Sequence, residues 1–552
     1  MKKIISVLLV FVLLFCMALP CNAAPTGNTY YLDAEKGSDE NSGTSESSAW
    51  KTLAFASSKT FSAGDKILLK AGSIFNGGFT ARGSGTAESP ILIGAYGDSA
   101  VLGKPIIRSD EDIILLTINN VSGWTVDNIE FTAPNGKGIY ITADSGNSAT
   151  DITVRNCTFH DIWFKQCPSY NGGHCPIMLS SSGAVSRVRN INLRNCDIYD
   201  CAYGINMSGL TREWTPDFYV SPEESYNTHF VIEGNSFNNI LYDAVIICSV
   251  FDMVIRNCSL INTSLNDDYY TAPMWSHHAS NFIIENCEIA GAKNEKDGMA
   301  VDFDGWTTDA TYQYIYSHDN VRFIRNCCYD NYTKNANCTV RYCLSVNDNK
   351  GENSMAQLLS SGSVSYADDE AAVCMDNFKF YNNTMINCSE IFCHALTNSV
   401  IANNIFVGNG ILSSMLYMKK NIGDNGEKFI TKYNGVFTNN CFWNMGAAHI
   451  AESNFFCDPE FVGTDETDKN SFILSKDSKL IGKGIQAEND MGEHDFYGNK
   501  LTDVHNIGCY EGTGEEARQN AGFFKTFAQF FVTLLASAVG FIINCNNTYW
   551  LF

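Results

Sequence analysis

Five short stretches in the middle of the chain repeat one phrase: Ile152–Phe159 (ITVRNCTF), Ile191–Ile198 (INLRNCDI), Met253–Leu260 (MVIRNCSL), Phe282–Ile289 (FIIENCEI) and Phe378–Met385 (FKFYNNTM). Each runs through two or three apolar or β-branched residues, then Asn-Cys or Asn-Asn, then an apolar residue. Aligning the first Asn gives positions 128, 156, 195, 235, 257 and 286, then Ile315 and Tyr342 in the same slot, then 382 and 403. The steps between them are 28, 39, 40, 22, 29, 29, 27, 40 and 21 residues. A turn of 21–29 residues with occasional longer insertions is the signature of a solenoid. Each phrase alternates like a strand and is bounded by turn residues. Strands stacked in register at about 4.8 Å per coil make a parallel β-helix, in which Asn and Cys at a fixed position form ladders along the axis. The 56 asparagines suit that role. Leucine-rich repeats have a similar period, but their Leu-x-x-Leu-x-Leu spacing is absent.

Composition limits what such a solenoid does. The 552 residues carry 37 Lys+Arg against 60 Asp+Glu, a formal charge of −23. Nucleic-acid binding draws most of its affinity from Lys/Arg neutralising phosphates, so that class is excluded. With 45% hydrophobic and 18% charged residues the chain is not disordered. We expect a monomer built of one large domain with appendages.

Met1-Lys2-Lys3 followed by the apolar run Ile4–Leu19 and the small-x-small site Cys21-Asn22-Ala23 reads as a signal peptide over residues 1–23, hence a secreted protein. At the other end, 513–521 reads as a polar linker and 522–552 as a hydrophobic tail. Phe523, Phe524, Phe527, Phe530, Phe531, Leu534 and Leu535 recur there at helical spacing. That pattern suggests an amphipathic or hydrophobic helix, and residues 523–543 are the expected means of membrane or cell-wall association. Two of the 21 cysteines lie in the leader, leaving 19. Because many recur at one place in the repeat of a chain large enough to bury a core, stacked interior thiols are expected rather than disulfides.

Three segments resemble one known family. Tyr30–Gly72 contains YYLDAEKGSDENSGTSESSAWKTL and FSAGDKILLKAG, and resembles the N-terminal cap of right-handed parallel β-helix proteins of the pectate-lyase-like superfamily. Cys457–Gly512 resembles the segment that closes many of those helices. Asp297–Asn320 (DGMAVDFDGWTTDATYQYIYSHDN) resembles a stretch that recurs in carbohydrate-active members. The likeness covers residues 28 to 512. It implies an all-β, right-handed parallel β-helix, with a cap and first coils over 28–110 and the main helix over 111–512. It also implies a secreted protein of the bacterial, carbohydrate-active type. The superfamily holds hydrolases, lyases and non-catalytic surface proteins, so the reaction must be argued from the site.

The stretch Asp297–Trp306 (DGMAVDFDGW) carries the candidate chemistry. In a strand, Val301 and Phe303 point inward while Asp302 and Asp304 face out, their Cα atoms about 6.6 Å apart. Two acids so placed suit glycoside hydrolysis, one protonating the leaving oxygen and the other acting as base or nucleophile. Mutual repulsion raises one pKa, as the acid requires. Subtracting a 29-residue coil sets Trp275 beside Asp304 and His277 beside Trp306. Flat aromatic rings beside acids fit a sugar-binding groove. In Trp275–Ala279 (WSHHA), His278 alternates to the other face. His318 is a further catalytic candidate, and Asp319 and Asp243 are candidate substrate-binding residues.

No cofactor is required for hydrolysis. The alternative is a polysaccharide lyase, in which Ca²⁺ held by Asp297, Asp302 and Asp304 neutralises a uronate and a base drawn from Lys293, Lys296, Arg322 or Arg325 removes the α-proton. The net negative charge disfavours an anionic polysaccharide. A third reading is a surface protein whose groove only binds glycans. A polysaccharide is the expected partner in every case.

Overall fold

The computed structural model describes residues 27–163, 173–183, 185–208, 226–327, 335–350, 375–388, 396–408, 434–445 and 453–518. The expected signal peptide and the expected C-terminal helix lie outside these residues. The chain forms a right-handed parallel β-helix whose strands make three sheets, and every strand pairing between coils among the described residues is parallel. The first sheet runs from Thr29–Leu32 to Val436–Thr438, the second from Ile74–Asn76 to Cys441–Trp443, and the third from Phe79–Thr80 to Arg322–Asn326.

The repeated phrase is the corner between the first and second sheets. In Ser148–Arg155, Ile152 and Val154 point inward and are fully buried, Asn156 turns the chain, and Thr158–His160 begins the next face. Asn128, Asn156, Asn195, Asn257 and Asn286 all take this corner with φ between 52° and 58°. Of the residues with a side chain, Asn and Asp enter this left-handed conformation most readily, which is why Asn recurs. Strand pairing corrects the alignment at two coils. Arg194 pairs with Glu233 and Glu285 with Gln313, so Gly234 and Tyr314 occupy the corner, while Asn235 and Ile315 fall one place later.

That later place points into the core. It holds Cys157, Cys196, Cys258, Cys287 and Cys343, each at most 3% exposed. None of the fourteen described cysteines is in a disulfide. In the final coils the same place holds Asn383, Asn404, Asn440 and Asn454, and here the expected ladder is buried. Asn404 Oδ1 accepts from the Asn383 backbone N–H (3.0 Å) and Nδ2 (3.1 Å), while its Nδ2 donates to Phe380 O (2.9 Å) and Asn440 Oδ1 (2.9 Å). The amide supplies donors and acceptors where a parallel coil bends away from its neighbour's backbone.

Both ends of the core are covered. Helix Leu53–Ser57, capped by the Thr52 hydroxyl (3.1 Å from Phe55 N), buries Leu53 and Ala56 over the first coil. Trp50 stacks on Tyr30 at 4.9 Å. In the polar turn before it, Asp39 accepts from Lys51 N, Thr52 N and Thr52 Oγ1 at 2.7–2.9 Å, which ties the turn to the start of the helix. The closing segment 453–518 runs back along the corner instead of only plugging the end. Asn403 Nδ2 donates to Ile485 O (2.7 Å), Tyr342 OH to Glu511 (2.9 Å) and Arg341 to Asp490 O (2.7 Å).

Two measurements check these packing assignments. Asn404→Ala strands the Asn383 N–H and the Phe380 carbonyl, and should lower the unfolding free energy in urea by about 3 kcal/mol. Asp348 is 4% exposed and accepts from Ser317, Ser345 and Asn320. Burial pushes its pKa up to about 6 from 3.8. An acid whose folded pKa is raised favours folding at low pH, and that contribution is lost as pH rises from near 4 through about 6. Across that window the stability of the wild type relative to Asp348→Asn should fall by up to about 3 kcal/mol.

Candidate active site on the third sheet

Strands Val245–Cys248, Met274–His277, Met299–Phe303 and Arg322–Asn326 lie side by side in the third sheet. Val301 and Phe303 point inward and are fully buried, and Phe303 stacks on Tyr312 at 4.2 Å. The Tyr312 hydroxyl and Ser276 Oγ donate to the Asp302 carbonyl (3.0 and 3.2 Å). This anchoring fixes the strand whose alternate residues face outward.

The coil here is 27 residues, because Trp275 pairs with Asp302 and Ser276 with Phe303. The 29-residue step used on the sequence is therefore corrected: Trp275 stands beside Asp302, and His277 beside Asp304. Two outward columns result. One is Ile246, Trp275, Asp302 and Arg325. The other is Cys248, His277, Asp304 and Cys327, continued past the paired residues by Asp304 N to Ser276 O (2.9 Å) and Cys327 N to Phe303 O (2.8 Å). Carboxylate oxygens of Asp302 and Asp304 and the Cys327 sulfur all lie within 4.8 Å of one another.

Arg325 reaches along the face to Asp297 (2.6 Å). Asp302 lies between Trp275 and Arg325 and is 5% exposed. Burial, reinforced by the Asp304 charge, holds its pKa well above the usual carboxylate range. Burial also raises Asp297 against the pull of Arg325 and Arg322, although its side chain remains 18% exposed. One Asp302 oxygen (Oδ1) and Arg325 Nε are buried with no hydrogen-bond partner among the described residues. A buried polar atom left without a partner is costly, which marks this place as one not built for stability alone.

The aromatic side of the face is a packed group. His278 and Trp306 both turn corners with positive φ (48° and 58°), a costly conformation for bulky residues that marks functional sites. Their rings stack at 4.6 Å, and His278 Nδ1 lies 2.9 Å from His277 Nδ1. His278 thus joins the site and does not alternate away from it. Burial, with the neighbouring His278, pushes His277 down to about 3, and burial alone takes His278 to about 4. Both are neutral across the physiological range.

Asp297, Asp302, Asp304, Trp275, His277 and Trp306 are therefore gathered on one face. His318 and Asp319 are not, since they sit on and beside strand Tyr316–His318 of the second sheet. Asp243 is fully buried at the foot of the third sheet two coils earlier, where it accepts from Ala272 N (2.9 Å). Cys248, Cys327 and His278 escaped the sequence reading: Cys248 lies 29 residues before His277 and Cys327 lies 23 after Asp304, so no single step along the chain finds both cysteines.

No family model matches the chain. It is 24% identical over 489 residues to a lacto-N-biosidase of Bifidobacterium longum, a match that covers 69% of this chain and 29% of that protein's length. Among solved structures it is similar to the GH136 lacto-N-biosidase of Eubacterium ramulus, with a TM-score of 0.53 and 20% identity over 70% of this chain and 66% of that one. It is also similar to XylC in complex with xylose, with a TM-score of 0.54 and 12% identity over 88% and 99% of the two chains. At these identities the structural likenesses establish the fold, and they agree with the resemblance to parallel β-helix proteins drawn from the sequence.

Two imidazoles held neutral by burial leave the carboxyls, not the histidines, as the groups that set the charge of this face. If this face is catalytic, no limb of the pH–rate profile should reflect a histidine near pH 6.5. Replacing His277 with Gln should lower the rate without shifting either limb.

Proposed function

We propose that the chain is a secreted glycoside hydrolase that cleaves its glycan with retention of configuration on the third-sheet face. One observation carries this reading: carboxylate oxygens of Asp302 and Asp304 lie within 4.8 Å of each other, flanked by Trp275 and Trp306. Retaining enzymes hold their two carboxyls closer (about 5–5.5 Å) than inverting enzymes do (about 6.5–9.5 Å), and a pair with neighbouring oxygens leaves little room for the water that inversion places between them. The lacto-N-biosidase that the chain resembles supports hydrolysis.

The chemistry needs one ionised and one protonated carboxyl. Asp304, the more exposed of the close pair, attacks the anomeric carbon as its bond to the leaving oxygen breaks. Asp302, kept neutral by burial, gives that oxygen its proton. The ester on Asp304 is then hydrolysed by water, whose proton returns to Asp302. Trp275 and Trp306 hold the apolar faces of the sugar. Exposure favours a second assignment of the donor: Asp297 also has a raised pKa and, unlike Asp302, keeps part of its side chain open. Asp302 would then hold Asp304 in place from below.

The lyase alternative fits less well. Asp297 is paired with Arg325, which leaves two carboxylates and the Cys327 thiol as donors. Ca²⁺ takes six to eight oxygen ligands, and a thiol is a soft ligand that does not suit it. The same pairing occupies Arg325, so it is not a free base.

A panel of neutral and uronate-containing oligosaccharides, with and without EDTA, tests the proposal. Reducing ends should appear without an ultraviolet-absorbing unsaturated product and without sensitivity to EDTA. Asp304→Asn should cost roughly 10³-fold in kcat. Azide should restore activity on an activated substrate to whichever of Asp302→Gly and Asp297→Gly removes the proton donor. An EDTA-sensitive unsaturated product would make the protein a lyase, and silence from the whole panel would leave a binding protein.

A further inference from the structure

His318 and Asp319 lie away from the third-sheet face, yet they border a second concavity. Where the closing segment crosses the corner between the first and second sheets there is a cavity of about 360 Å³. Its walls include Asn257, Asn286, Glu288, Tyr316, Lys469 and Phe496. It shares no residue with the candidate active site.

The Tyr316 and Phe496 rings meet edge to face at 6.4 Å, and the Lys469 ammonium stands 6.0 and 5.9 Å from their centroids. His318 stacks on Tyr316 at 4.5 Å and binds Glu288 Oε1 through Nε2 (3.2 Å). The histidine thus backs the ring and fixes the carboxylate. Asp319 holds His318 in turn through Nδ1 (3.0 Å). Lys469 is positioned by its carbonyl, which accepts from Tyr497 OH (2.7 Å).

The asparagines supply a further observation. At this corner Asn156 Nδ2 donates to Asp127 (2.9 Å), Asn128 to Ser99 (3.1 Å) and Asn403 to Asn382 (2.9 Å). The side-chain amides of Asn257 and Asn286 make no such bond among the described residues, and both are exposed at the cavity. Two amides, a carboxylate and an ammonium converge on a space edged by two rings.

We propose that this cavity is a second, non-catalytic binding site for a neutral oligosaccharide, with room for about two pyranose rings. The apolar face of a pyranose packs on an aromatic ring, and its hydroxyls bond to amide, carboxylate and ammonium groups, which is the chemistry on these walls. A volume near 360 Å³ falls at the small end of ligand pockets. Lys469 and Glu288 oppose each other in charge, which favours a neutral sugar over an acidic one. A site here would keep a polymer attached while the opposite face works on it.

The test is calorimetric titration of the full chain with lacto-N-biose, N-acetyllactosamine, xylobiose and cellobiose. At least one should bind, and that binding should survive Trp275→Ala, which empties the third-sheet face. It should weaken about tenfold or more in Tyr316→Ala. Should Tyr316→Ala misfold, Lys469→Ala and Glu288→Gln alter exposed side chains and should each weaken binding severalfold. The site is refuted if no binding survives Trp275→Ala, or if surviving binding ignores Lys469→Ala and Glu288→Gln. Failure of the hydrolase reading would appear separately, as absence of turnover by the wild type, and would leave this titration unchanged.

Discussion

Parallel stacking in register is the constraint from which everything else in this molecule follows. Each strand hydrogen-bonds to the same strand of the next coil at about 4.8 Å, so a residue's neighbours along the axis are fixed by the coil length alone. The core must then repeat its chemistry coil after coil. Interior cysteines recur from Cys157 to Cys343, interrupted by Asn235 and Ile315, and buried asparagines then take over from Asn383 to Asn454. The corners must repeat as well, and left-handed backbone at Asn128, Asn156, Asn195 and their successors provides the bend.

The same constraint builds the site. Chemistry that a globular enzyme gathers from distant loops comes here from single positions in successive coils, so a column of outward residues becomes a strip of side chains. Ile246, Trp275, Asp302 and Arg325 form one strip, and Cys248, His277, Asp304 and Cys327 the other. Their pKa shifts follow from this crowding. Carboxyls and imidazoles packed side by side and screened from water favour their neutral forms, which raises the pKa of Asp302 and keeps both histidines uncharged.

The fold was legible because the constraint writes itself into the sequence as a period, and the Asn-Cys phrase marks one corner in four of the coils. The site was legible only in part. Alternation along Met299–Phe303 placed the two aspartates correctly on the outside, since period-two geometry is local. Neighbours across coils depend on the local step, which is 27 residues at Trp275 and not the 29 between Asn257 and Asn286. The same slip put Ile315 in the corner that Tyr314 occupies. His318 looked close to the acids along the chain but belongs to another sheet, and sequence distance carries no information about which face of a coil a residue joins. The pairing of Asp297 with Arg325 could not be read without the strands that bring them together.

The central claim is that Asp304 forms a covalent bond with the sugar it releases. A panel of 2-deoxy-2-fluoro glycosyl fluorides slows the second half of such a reaction, and mass spectrometry of the digested protein then locates the trapped sugar. We expect one adduct per chain, on Asp304. An adduct on another residue, or a natural substrate released with inverted configuration, would contradict it.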